Sequence, residues 1–223
     1  MNFIAKTAIA GALLALAGNA AATTLYTQPF DGTGLAFASQ NDTNGNGNFA
    51  TAYDNFTLAA GATINNVAFT GEYFNPPNQG TITGFTLQIY NDAAGIPGAS
   101  VYSEFVSGTG GETTPAACGG GLCANYSLGA NFNAVGGTEY WLSLVPDLGF
   151  PPQWGWSTGT GGDGASYQVF FGTGGPQASD LAFTLSGSPA GVPEPASWAM
   201  MLLGFFGLGG ALRARRRMTL AAA

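Results

Sequence analysis

Apolar side chains recur at every second position, segment after segment, between Thr23 and Gly187. Phe85, Leu87 and Ile89 alternate with Thr86, Gln88 and Tyr90, and Tyr140, Leu142 and Leu144 alternate with Trp141, Ser143 and Val145. Val67 and Phe69 oppose Ala68 and Thr70, while Leu181, Phe183 and Leu185 oppose Ala182, Thr184 and Ser186. Successive strand residues point to opposite faces, so this period builds strands with one face on a core. No part of 23–187 carries a sustained helical stripe. Turn residues separate the runs, as in Gly95-Ile96-Pro97-Gly98, where Pro presets φ and Gly accepts a positive φ. The reading is all-β: an antiparallel, jelly-roll-like β-sandwich of roughly eight to ten strands, formed by one domain over 23–187.

Charge narrows what such a domain can do. Lys6 is the only basic residue before Arg213 and His is absent, so Thr7 to Leu212 contains no cation, yet all twelve acids fall there. A body without Lys or Arg has nothing to pair with phosphates, which excludes nucleic acid as a partner. Nucleophilic triads need a His or Lys base, and the body has neither. Carboxylate-pair chemistry is all that is left, and nothing selects two among Glu72, Glu104, Glu112, Glu139 and Asp147. The chain is therefore read as non-enzymatic. Three Gly-Thr-Gly-Gly stretches, at Gly108, Gly159 and Gly172, are irregularly spaced and lack a following Gly-Lys-Ser/Thr, so they are loops rather than repeats or P-loops.

Both ends read as addresses. Residues 1–22 have one early cation, an apolar run from Thr7 to Ala17, and small Ala20 and Ala22, the pattern of a signal peptide cut by signal peptidase after Ala22. A linker over 188–195 holds Pro193-Glu194-Pro195. Residues 196–212 carry no charge, and as a helix they would cover about 26 Å, which predicts a single transmembrane helix of barely sufficient length. The basic tail 213–223, with Arg213, Arg215, Arg216 and Arg217, would stay in the cytoplasm and leave the body outside. Pro193-Glu194-Pro195, Trp198-Ala199, Gly204-Phe205 and the arginine cluster together resemble the PEP-CTERM sorting signal in its PEPxxWA variant. The family often has Gly-Phe-Gly where this chain has Gly204-Phe205-Phe206-Gly207. That resemblance implies an exosortase as partner and export across the inner membrane of a Gram-negative bacterium. It further implies transient anchoring, then display at the cell surface or release into an exopolysaccharide matrix or biofilm. The body is also similar, in the order of its strand motifs, to an ectodomain found ahead of such tails, which implies one domain and supplies no activity to carry over.

Candidate sites are few. Cys118 and Cys123, the only cysteines, are expected to form a disulfide in an exported chain; metal or redox work would need a His or a second Cys pair to complete it. Asp31, Asp42 and Asp54, with the Asn-rich "NDTNGNGN", form the densest set of oxygen donors, read either as structural calcium or as a solvated polar turn. Trp154 and Trp156 lie on one side of a strand and could form a platform for stacking on sugar rings, or else fill the core. The leading expectation is an exported non-enzymatic surface or matrix protein. A carbohydrate-binding module is the alternative, and ice binding, which needs rows of threonine not seen here, is the weakest.

Overall fold

The computed structural model describes residues 22–190, 200–209 and 213. Most of the expected signal peptide, and Pro193, Glu194, Pro195, Trp198, Ala199, Arg215, Arg216 and Arg217, lie outside the described residues. Within them the strands are β1 (Thr23–Gln28), β2 (Ala36–Ala38), β3 (Gln40–Asp42), β4 (Gly47–Thr57), β5 (Ala62–Phe74), β6 (Gly84–Asp92), β7 (Pro97–Ser107) and β8 (Ala116–Cys118). They continue as β9 (Gly121–Ala134), β10 (Glu139–Leu148), β11 (Gln153–Gly159), β12 (Ser166–Phe170), β13 (Thr173–Gln177), β14 (Asp180–Leu181) and β15 (Phe183–Pro189).

They form two sheets. One runs β1-β15-β5-β11-β14, with β2 also on β11, and with β9 and β8 on the far side of β5. The other runs β13-β12-β4-β3-β10-β6-β7. Phe85, Leu87 and Ile89 from the second sheet and Ile64, Val67, Leu128 and Leu185 from the first are fully buried in one core, the inward faces that the alternation requires. Central β10 departs from a simple in-and-out pattern, because Trp141, Ser143 and Val145 are buried too. Its neighbours cover that face: the Tyr90 hydroxyl lies 3.3 Å from Ser143 Oγ, and Asp92 accepts the Trp141 indole N–H at 3.0 Å.

Two corrections to the expected fold follow. First, the sheets are not wholly antiparallel, because β3 pairs in parallel with β10 through Asp147↔Asn41 and Leu148↔Asp42. β4 runs antiparallel to both β3 and β10. When the β3–β4 hairpin inserts β3 beside β10, those two must therefore run the same way.

Second, the expected C-terminal transmembrane helix is contradicted: no helix among the described residues is long and apolar enough to cross a membrane. The described helix covers 200–209, about 15 Å at 1.5 Å per residue, roughly half a hydrocarbon core. Gly204, Gly207 and Gly209 stand among those residues, and glycine is the weakest helix former after proline. Arg213 is exposed.

Candidate functional site

The β12–β13 hairpin turns on Phe171 and Gly172, and both have positive φ, at 45° and 78°. A two-residue turn of this kind favours Asn-Gly, because a bulky side chain is strained in the left-handed region. Phenylalanine there costs about 1 kcal/mol or more. The strained ring is 63% exposed and sits beside Phe49 at 5.2 Å and Phe170 at 5.0 Å between centroids. The Phe171 N–H donates to the Phe49 carbonyl at 2.7 Å, which ties the turn to β4.

These rings line a cleft of about 210 Å³ with Phe150, Asn46, Asn75 and Gln153. A second hollow, lined by Phe37, Phe74 and Gln168, adjoins it and shares Gln153 and Phe170 with it. Among the described residues no charged side chain lines either part. Asn75 is a second non-glycine residue at positive φ, 51°. Gln153 is only 9% exposed. The groove thus combines apolar ring faces with neutral amide groups, one of them nearly buried.

The Asn-rich loop builds the floor of this groove. Asp42 Oδ1 accepts N–H groups of Asn44 and Phe150, both at 2.8 Å, and Oδ2 accepts the Asn46 N–H at 2.9 Å and its amide at 2.6 Å. Asn44 donates back to the Phe150 carbonyl at 3.2 Å. Burial pushes the Asp42 carboxyl up, but the N–H groups of Phe150, Asn46 and Asn44 outweigh it and hold the group below its ordinary value. Asp42 therefore clamps Phe150 against the β3–β4 loop. Asp42→Ala should lower unfolding free energy by about 2 kcal/mol, because it removes the acceptor of four partly buried hydrogen bonds at once; urea denaturation of the two proteins measures it.

Asp31, Asp42 and Asp54 do not converge. Asp31 accepts the Thr33 N–H and hydroxyl, each at 2.8 Å, and the Thr158 hydroxyl at 2.7 Å. Asp54 is fully buried and accepts the Leu181 N–H, the Asn55 N–H at 2.7 Å and, in the amide orientation that satisfies Gln28, its side-chain N–H at 2.8 Å. No donor is shared among the three carboxylates. Different acids do meet: the Asn55 amide bridges Glu139 at 2.7 Å and Asp163 at 2.9 Å, on the wall of a separate cleft that includes Tyr26 and Thr57. One amide nitrogen thus ties the two carboxylates together.

Trp154 and Trp156 offer no platform at the surface. Both have 0% exposure; Trp154 donates to the Tyr126 hydroxyl at 3.1 Å and Trp156 to the Ala182 carbonyl at 2.9 Å. Cys118 and Cys123 are bonded, with Cα atoms 5.7 Å apart. Sequence reasoning missed Phe49, Phe170, Phe171, Asn75 and Gln153. The signal for the hairpin was "QVFFGTGG", in which a second Phe stands directly before the turn glycine where Asn would be favoured. No family model and no curated protein matches the chain.

Proposed function

We propose that the chain is an exported, non-enzymatic protein of the cell surface or extracellular matrix, processed by an exosortase at its Pro193-Glu194-Pro195 tail. The order of that tail carries the reading: a proline-flanked glutamate, then Trp198-Ala199, an uncharged stretch and Arg213, Arg215, Arg216 and Arg217. The bonded cysteine pair is consistent with an oxidising compartment. The intact mass of protein recovered from the cell surface and medium tests it. A chain ending near Pro193 to Pro195, and not so trimmed in a strain without exosortase, is the expected result. Recovery of chains that retain Arg213 to Arg217 would overturn it.

The groove favours carbohydrate binding as a second reading, with different residues from the tryptophans. A pyranose has apolar C–H faces and neutral hydroxyls, which match the rings of Phe170 and Phe171 and the amides of Gln153, Asn75 and Asn46. Holding Phe171 in a strained turn makes sense if its exposed ring is used. Phe171→Asn should weaken binding of a neutral polysaccharide at least about tenfold, and at the same time raise stability by about 1 kcal/mol through relief of the turn. Titration calorimetry and urea denaturation read the two effects separately. Unchanged binding by both Phe171→Asn and Gln153→Ala would dispose of this reading.

A further inference from the structure

Glu72 is 3% exposed, and its Oε2 is buried with no hydrogen-bond partner among the described residues. A carboxyl so placed is costly, and the body contains no cation to answer it. What it faces is the cysteine pair. Glu72 on β5 is directly opposite Cys123 on β9, and β9 returns through β8 to Cys118. A carboxylate oxygen of Glu72 and the two sulfurs all lie within 4.8 Å of one another. Gly121 is what allows this approach, since a Cβ there would overlap the Glu72 carboxylate. Both cysteines are half-buried, so solvent reaches the corner.

We propose that reduction of the Cys118–Cys123 disulfide turns this corner into a binding site for a thiophilic divalent cation, zinc, held by two thiolates and the Glu72 carboxylate. An external dithiol supplies the two electrons and two protons that open the S–S bond and is itself oxidised to a disulfide. Each cysteine then gives up its thiol proton as it binds the ion. Four residues separate the cysteines, within the spacing common to zinc-binding pairs, and three protein ligands leave a tetrahedral ion one open position. Oxidation removes two of the three ligands at once, so occupancy follows the thiol–disulfide state.

The test uses the whole folded protein, oxidised or reduced with a phosphine, and titrated with zinc against a chromophoric chelator. One zinc per reduced chain and none per oxidised chain is expected, with thiolate-to-metal absorption when cobalt replaces zinc. Glu72→Gln keeps the shape of the side chain and should bind at least about tenfold more weakly. Circular dichroism of the oxidised variant confirms its fold independently of the metal. Reduced protein that takes up no zinc, or Glu72→Gln that binds it as tightly as the parent, would overturn the proposal.

Discussion

Melting temperature should fall by about 10 °C as pH is raised from 4 to 8, the reverse of the usual gain in stability on leaving acid. Asp54 drives the effect. Burial pushes its carboxyl up to about 8; the N–H groups of Leu181 and Asn55 oppose this, while the charges of Asp180 and Asp163 add to it. The ordinary value in an unfolded chain is 3.8. Below that value Asp54 is protonated in both states, and its contribution to stability is fully present. Between about 4 and 8 only the unfolded chain releases the proton, so the contribution is progressively lost, by a few kcal/mol in all.

Asp31, Asp42 and Asp92 act in the opposite sense. Their folded values are lowered: the Trp141 N–H leads for Asp92, and backbone N–H groups overcome burial for Asp31 and Asp42. Their contribution is present above the unfolded value and is lost as pH falls below it. Stability should thus peak near pH 4 to 5. Eleven acids between Thr23 and Gly187 face no cation, so added salt should recover part of the loss at pH 8 and little at pH 4. Thermal scans across pH at two ionic strengths measure both effects. A melting temperature that is flat or rising from pH 5 to 8 would refute the account of Asp54.

Trp154→Ala should lower unfolding free energy by about 4 kcal/mol, read by urea denaturation. Its ring packs edge-on against Tyr126 at 5.8 Å, Phe85 at 5.9 Å and Phe69 at 6.3 Å. The space was made for it, since a Cβ at Gly71 on the adjacent strand would overlap the indole. Truncation also removes the donor to Tyr126, whose hydroxyl in turn donates to Glu112 at 2.8 Å. Phe171→Ala, at a ring 63% exposed, is the contrast and should stay within about 0.5 kcal/mol. Similar costs for the two would mean that Trp154 is not a core residue.

Much of the sandwich was legible along the chain. The alternation at Phe85 to Ile89 and at Leu181 to Leu185 named core residues that are buried, because side-chain direction in a strand depends only on position within it. The cysteine pair was equally legible, since five positions of glycine-rich chain bring its ends together wherever the loop sits. The tryptophans were not. Two residues apart they face the same way, but which way depends on where β11 lies, and it lies between β2 on one side and β5 with β14 on the other, buried along its whole length. Asp42 was noticed for the right reason, a concentration of oxygen and amide groups, but its partner Phe150 is 108 residues away.

The sequence alone therefore determined an all-β body, its inward faces, its lack of positive charge and its single loop-closing cysteine pair. Each of these is a property of residue type or local period. Tertiary structure alone decided that β3 joins β10 in parallel, that Phe49, Phe150, Phe170 and Phe171 share one groove, and that Glu72 stands beside the two sulfurs. These depend on register between strands far apart in the chain. A shift of one residue in that register would carry the same side chains to the opposite face.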